Sequence, residues 1–386
     1  MIFTDLKVLF FANTDWYLYN FRRRLIDSAG EHFGTLACVS PPGPFGQKLF
    51  EEGFDWQPLP FRRQSKSAML RSSLASRRFL SRLIDDFQPS IIHSFTLTSI
   101  LLTWMASLGR DCVRINAVTG MGYAFTGQSF KHRLLRLGLR PLIRRALNSK
   151  DAWTVVQNPT DQATMLEQFK LDPARVRLIP GSGVDVDRFA PASRARSGSG
   201  LRVGLLARLL HDKGVGEFIE AARALHEQFP QVEFLIAGDP DPGNPAAIDQ
   251  RTLARWRGLP NVEFTGHVDD VPSFLNSLDV FVLPSYREGL SRSLIEAGAC
   301  GLPLVTTDVP GCRDVVDDGV QGRVVPARDG RALADAIRTL LEDEHLRQQM
   351  GRAARERVVR EFSDETVNEA TLALYREVLA ERAARP

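Results

Sequence analysis

Arg208 and Lys213 flank a short polar turn in the segment Gly204-Leu-Leu-Ala-Arg208-Leu-Leu-His-Asp-Lys213-Gly214. An apolar run ends at Ala207, so Arg208 leaves the carboxyl end of a strand and Lys213 opens the next helix. Two cations beside a helix N-terminus suit a diphosphate. The guanidinium offers phosphate oxygens a planar fork, and the ammonium adds a compact charge. In a group transfer both would stabilise charge growing on a departing nucleotide diphosphate. The alternative is two solvated side chains of an ordinary loop. No Walker-type GxxxxGK followed by Ser or Thr occurs, which argues against an ATP-type phosphate loop.

A second constellation is the carboxylate pair Glu288 and Glu296, eight positions apart in Pro284-Ser-Tyr-Arg-Glu288-Gly289-Leu-Ser-Arg-Ser-Leu-Ile-Glu296. A strand over Asp279–Leu283 precedes it, Gly289 permits a tight turn, and a helix is expected from Ser291 to Cys300. That separation is a little over two helical turns, so both carboxylates can face one side. Carboxylates so placed accept from sugar hydroxyls or a ribose diol. The amides of Gly289, Leu290 and Ser291 would aim at a phosphate. The plainer reading makes Glu296 a polar helix-face residue and Glu288 a partner of the helix dipole.

Two DxD spellings, Asp185-Val-Asp187 and Asp239-Pro-Asp241, raise a divalent-ion reading. Both lie in Pro/Gly-rich or interdomain stretches, and no bound metal is expected. The seven histidines show no metal-type spacing. His93 follows the apolar Ile91-Ile92 and is expected either at a cleft rim or as a hydrogen-bonded strand-end residue. Trp16, Tyr17, Tyr19 and Phe21 offer either an acceptor platform or ordinary core.

The elements that must position these groups are short apolar strands alternating with helical patterns. Expected strands are Lys7–Ala12, Thr35–Val39, Ser90–Ser94, Val113–Val118, Ala152–Val156 and Val176–Ile179, then Leu201–Ala207, Val232–Ala237, Val262–Thr265, Asp279–Leu283, Pro303–Thr306 and Arg323–Val325. Continuous rather than alternating apolar runs suit parallel strands covered on both faces. Repeated βα units imply doubly wound sheets. The polar stretch PASRARSGSG at 191–200 reads as a linker or exposed loop. Residues 1–185, joined by about 364–386, form one Rossmann-like domain, and 186–363 form the other. The helical pattern from Asp364 to Arg385 carries an apolar stripe that includes Val367, Leu372, Tyr375 and Val378, with Ser363 as its cap.

The chain has 386 residues with 44% hydrophobic and 25% charged side chains, the make-up of a globular protein of two or three domains. Four cysteines without a CxxC pair argue against a disulfide scaffold and fit a reducing compartment. No secretory signal is legible around Lys7–Ala12, and the uncharged stretch Ser94–Gly109 is too short to span a bilayer. Residues 1–190 carry a net charge of +9 and the remainder −6. The segment Lys131–Lys150 holds seven basic residues and no acid, interleaved with leucines, and Pro141 is expected to divide it into two helices. Such a face suits an anionic membrane surface, reinforced by Arg62, Arg63, Lys66, Arg71, Arg77, Arg78 and Arg82. A core helix with a solvated outer side is the commoner use. No nucleic-acid motif is present.

Taken in order, these residues resemble the retaining glycosyltransferases of the GT-B fold, family 4. The resemblance spans nearly the whole chain and is strongest over 176–326. It rests on Ile179-Pro-Gly-Ser-Gly-Val-Asp185-Val-Asp-Arg-Phe189, Arg208 with Lys213-Gly214, Phe234-Leu-Ile-Ala-Gly238, Val262-Glu-Phe-Thr-Gly266, the Glu288/Glu296 pair and Gly311-Cys-Arg-Asp-Val-Val-Asp-Asp-Gly319. The resemblance implies two Rossmann-like domains facing across a cleft, with the last helix crossing back to the first. It implies that Arg208 and Lys213 bind the donor diphosphate, Glu288 the donor sugar and Glu296 the ribose. Gly238 and the stretch Gly266, His267, Val268 would hold the base, and no metal cofactor would be required.

The loop Thr119-Gly-Met-Gly-Tyr-Ala-Phe-Thr126 and the run Pro180-Gly-Ser-Gly-Val-Asp185 together look most like the subgroup that extends undecaprenyl-diphosphate-linked sugars, commonly with UDP-HexNAc. The loop has no His, so the family's usual first-domain catalytic His has no counterpart there. Candidate acceptor contacts are Asn13, Tyr17, Asn20, Arg22, His93, Gly120 and Gly122. Arg22, Arg23 and Arg24 could meet a lipid diphosphate. The expected location is cytoplasmic, peripheral on the inner membrane face. Competing readings are a nucleotide-sugar epimerase of the same fold, an NAD-dependent dehydrogenase and a catalytically silent sugar-binding scaffold. No GxGxxG supports the dehydrogenase.

Overall fold

The computed structural model describes residues 3–60, 66–120, 130–192, 200–241 and 243–384. The chain forms two compact units, Met1–Gly183 with Asp364–Pro386, and Val184–Ser363.

The first unit is built on a seven-stranded sheet in the order β3-β2-β1-β4-β5-β6-β7. Its strands are β1 (Phe3–Ala12), β2 (Phe33–Ser40), β3 (Trp56–Pro58), β4 (Ile91–Phe95), β5 (Val113–Val118), β6 (Ala152–Val156) and β7 (Val176–Leu178). All pairings are parallel. β1 shows why its run is continuously apolar. Val8, Phe10 and Ala12 enter one core cluster, while Leu9 and Phe11 enter another on the opposite face. The last helix, Asp364–Ala383, joins the first of these clusters through Val367, Leu372, Leu374, Tyr375 and Val378.

The second unit holds a six-stranded sheet in the order β10-β9-β8-β11-β12-β13. Its strands are β8 (Arg202–Leu206), β9 (Glu233–Ala237), β10 (Val262–Gly266), β11 (Val280–Leu283), β12 (Leu304–Thr307) and β13 (Gly322–Val325), again parallel throughout. Val203 and Leu205 face one core and Phe281 and Leu283 the other.

The structure corrects the sequence reading in three places. The short edge strand β3 is additional. The helix Phe130–Leu147 runs through Pro141 rather than dividing there. One lost backbone bond is outweighed by the burial of Ile143, Ala146 and Leu147 in the following turns. β4 extends to Phe95, so His93 is mid-strand and buried, not at a rim.

Candidate active site

In the second sheet the chain order reverses between β8 and β11, and open parallel sheets bind ligands beyond the carboxyl ends of strands at such a switch point. The loop after β8 carries Arg208 and Lys213, and the loop after β11 carries Glu288. Gly214 turns Lys213 inward: its φ is +72°, and a Cβ there would lie 2.1 Å from the Pro284 carbonyl oxygen. Only glycine fits, for both reasons. Gly214 also starts the helix Val215–His226.

Lys213 Nζ donates to Glu288 Oε1 at 2.5 Å, and Ser285 Oγ donates to the same oxygen at 2.8 Å. The two charged side chains are only 19% and 14% exposed. The Glu288 loop is itself held, because its amide donates to the Pro310 carbonyl at 3.2 Å. Gly311 passes so close that a Cβ there would sit 2.7 Å from the Glu288 carbonyl carbon. Thr307 Oγ1 donates to the Ser285 carbonyl, and Thr306 Oγ1 to that of Leu283 at 2.8 Å. Behind the loop, burial, with Glu288's negative charge adding to it, pushes the Cys312 thiol up to about 12, so it stays neutral.

Arg208 is 61% exposed, and its Nη1 donates to Asp241 Oδ2 at 2.8 Å. The loop bearing Asp241 folds back along it: the Leu209 amide donates to Asp239 O at 3.0 Å, and the His211 amide to Ala246 O at 2.8 Å. Asp241 is therefore a partner for Arg208. Asp185 Oδ1 caps a turn, accepting from the Asp187 and Arg188 amides. Among the described residues no group of three or more His, Cys, Asp or Glu is disposed to hold a metal. The Gly238 amide donates to the Gly266 carbonyl at 2.8 Å, setting the loops after β9 and β10 side by side. His267 is 69% exposed there, with Asp239 and Asp269 within 3.8 and 3.4 Å, and Val268 packs on the core.

Glu296 lies in the helix Arg292–Ala299, capped by Ser291 Oγ, and is buried to 9% exposure. Arg292 Nε donates to its Oε1 at 2.6 Å. Leu290 packs against the core, and Gly289 makes the turn between loop and helix. One expectation fails: the Ser291 amide does not face a ligand, because it donates to the Gly311 carbonyl at 2.9 Å. Sequence reasoning also missed a clamp. Tyr286 Oη donates to Glu217 Oε1 at 2.5 Å, and Arg328 lies over the Tyr286 ring at 4.6 Å. This ties the Glu288 loop to the helix that begins at Gly214.

In the first unit, Tyr17 and Arg22 come together: Arg22 Nε and Nη2 donate to Tyr17 Oη at 3.2 and 2.9 Å. Asn13 is half-buried just beyond β1, and Asn20 is exposed, donating to the Trp16 carbonyl at 3.0 Å. Gly120 lies two residues beyond β5, with φ 133°. Gly122 lies outside the described residues. Arg23 and Arg24 are engaged elsewhere, Arg23 with Asp27 and Glu52 and Arg24 with Asp364. His93 is 2% exposed, with Nδ1 2.6 Å from Tyr375 Oη. Burial and nearby Arg22 hold its pKa well below the usual histidine range.

Comparison with known proteins agrees with the parallel α/β fold of the two units. Residues 190–357 match the family described as Glycosyl transferases group 1, and residues 7–158 match Glycosyl transferase 4-like. The chain is 25% identical over 387 residues to the N,N'-diacetylbacillosaminyl-diphospho-undecaprenol alpha-1,3-N-acetylgalactosaminyltransferase of Campylobacter jejuni, covering 97% of this chain and 99% of that one. It is 35% identical over 179 residues to the capsular polysaccharide biosynthesis glycosyltransferase CapM of Staphylococcus aureus, covering 46% of this chain and 47% of that one. Among solved structures, sucrose-phosphate synthase from Thermosynechococcus elongatus superposes with a TM-score of 0.80 at 20% identity, covering 97% of this chain and all of the other. HepE from Anabaena in complex with UDP superposes at 0.78 and 19% identity, covering 96% and 100%.

Proposed function

We propose that this chain, which belongs to the GT-B glycosyltransferases with a 4-like first domain and a group 1 second domain, moves an N-acetylhexosamine from a UDP-sugar onto a hydroxyl of a lipid-linked saccharide, with retention at the anomeric carbon. The observation that carries the reading is the half-buried Lys213–Glu288 contact at the switch point of the second sheet, beside a helix N-terminus. A donor diphosphate reaching Gly214 competes for the Lys213 ammonium. Glu288 is then free to accept from hydroxyls of the transferred sugar. The Gly238 and Gly266–Val268 loops suit the base, and Glu296 the ribose. The bond from the anomeric carbon to the diphosphate oxygen breaks while the bond to the acceptor oxygen forms on the same face. The acceptor proton passes to the departing diphosphate. Lys213 and Arg208 stabilise the charge that grows there, a role that metal ions play in other transferases.

A lipid-linked acceptor is supported by the likeness, over nearly the full length, to an enzyme whose name specifies a diphospho-undecaprenol substrate. Work at a membrane surface on the cytoplasmic side belongs to the same proposal, with the basic first unit as the contact. Among the described residues no helix is long and apolar enough to cross a membrane.

The test is turnover of UDP-N-acetylhexosamines with and without a prenyl-diphosphate-linked saccharide, in the presence of EDTA. Transfer to acceptor that persists in EDTA and falls steeply in Arg208→Ala and Lys213→Ala is expected. Near-wild-type rates in both variants would refute the diphosphate assignment. Epimerised donor without acceptor would instead identify an epimerase.

A further inference from the structure

Arg22 is a buried charge without a counter-charge. The residue is 4% exposed. Its hydrogen bonds go to the neutral Tyr17 phenol and, at 3.5 Å, to the Gly181 carbonyl. Its guanidinium carbon lies 4.5 Å over the Phe95 ring and 5.5 Å from that of Tyr17. Among the described side chains no carboxylate pairs with it. Of the acids nearest in sequence, Asp27 lies beside Arg23, 3.9 Å from its Nε, and Asp15 is committed to the amides of Phe45 and Gly46 at 2.8 and 3.0 Å. Buried ions are normally paired, because a cation stripped of water costs several kcal/mol, about that much even after relaxation.

The position is as telling as the charge. In the first sheet the order reverses between β1 and β4, which is that sheet's own switch point. Arg22 comes from the segment after β1, and Phe95 is the last residue of β4. Two unusual backbone features hold them there. Leu18–Arg22 is a π-helical turn, and Thr96 adopts φ 77° and ψ 153°, a region unfavourable to any residue with a Cβ. A second polar group in the same cluster lacks a partner: His93 Nε2 is buried with no hydrogen bond, its ring 4.2 Å from that of Phe95. Held neutral by burial, His93 supplies a hydrogen-bonding edge and no further charge.

We infer that Arg22 is the anion receptor of the first unit and takes a phosphoryl oxygen of the acceptor's diphosphate, with Tyr17 and Phe95 fixing the guanidinium plane. Assigning the anion to the acceptor rests on the donor diphosphate being held in the second unit, as proposed above. The aromatic rings and the Tyr17 phenol use one side of the fork. No hydrogen bond of Nη1 is made among the described residues, which leaves that edge for the ligand.

The test is calorimetric titration of the full chain with inorganic pyrophosphate while UDP saturates the second unit. Wild type is expected to bind pyrophosphate under these conditions. Arg22→Gln should weaken that binding at least tenfold with UDP affinity unchanged, and Arg22→Lys should fall between. Lys213→Ala should do the reverse, losing UDP and keeping pyrophosphate. Absence of pyrophosphate binding in wild type, or full affinity in Arg22→Gln, would overturn the assignment. Equal binding of acetate would reassign the site to carboxylates. Failure of wild type to bind UDP would sink the donor reading while leaving the effect of Arg22→Gln on pyrophosphate readable by itself. If Arg22→Gln does not fold, Tyr17→Phe keeps the ring and removes the phenol. It should weaken pyrophosphate several-fold, and unchanged affinity would count against the proposal.

Discussion

Lys213 and Glu288 neutralise each other in a place that is mostly closed to water, so removing either member has an effect that depends on which is left behind. Glu288→Gln frees the ammonium for phosphate. Its nucleotide affinity should be kept or raised while turnover falls by about 100-fold, the scale of losing one transition-state contact. Lys213→Ala leaves a carboxylate facing the diphosphate and should lower UDP affinity by at least about tenfold, the worth of a charge-assisted hydrogen bond. Parallel binding and single-turnover measurements check the opposite signs; loss of affinity in both would show that the pair acts only as a structural tie. Arg208, Lys213, Glu288 and Glu296 are legible in the sequence because each sits at a fixed offset from a strand end or helix start. Partners brought from distant stretches of chain are not. Asp241 reaches Arg208 across 33 positions and Tyr375 reaches His93 across 282, and no local spacing encodes such distances. The same holds for Arg22, whose significance lies in the carboxylate it lacks.

At the level of elements, twelve of the strands are legible because burial on both faces demands unbroken apolar runs. β3 is not: it has three residues, stands at the sheet edge, and contains Gln57 and Pro58, which an edge tolerates because the outer backbone groups need no partner. The contact between β4 and the last helix invites a direct test. Tyr375 is fully buried, and its hydroxyl is the sole hydrogen-bond partner of His93 among the described side chains. Tyr375→Phe should cost about 1–3 kcal/mol, the penalty for orphaning a buried polar group, read from urea unfolding. His93 also adds a pH dependence. Its native pKa is depressed, so as pH falls below about 6.5 the unfolded chain takes up a proton that the native chain refuses. Stability contributed by this group is present above that pH and lost below it, at about 1.4 kcal/mol per pH unit. Wild type should therefore lose stability on acidification faster than His93→Gln, and identical slopes would show that His93 protonates in place.

Taken whole, the molecule pairs a basic first half with an acidic second half, at +9 for residues 1–190 and −6 for the rest. If the first unit meets an anionic membrane, flotation with vesicles rich in anionic lipid should carry the protein upward at low salt and release it as ionic strength rises. Equal, negligible flotation with anionic and neutral vesicles would remove the membrane from the account. The two α/β series are legible because each restarts the same strand–helix rhythm, and the apolar stripe of the last helix announces a packing role. Which sheet that helix covers is settled only by its long-range contacts.

That helix has a consequence for how the protein is made. The first unit is interrupted: its chain leaves at Gly183 and returns at Asp364, two residues so close that a Cβ on the glycine would meet the Asp364 Cα at 2.6 Å. A ribosome that has already delivered all seven strands of the first sheet still withholds Tyr375, one of the largest side chains in its core. The first unit is thus completed only after the inserted one, which is whole by Ser363 and free to reach its native state while the unit around it waits for the helix that carries Tyr375.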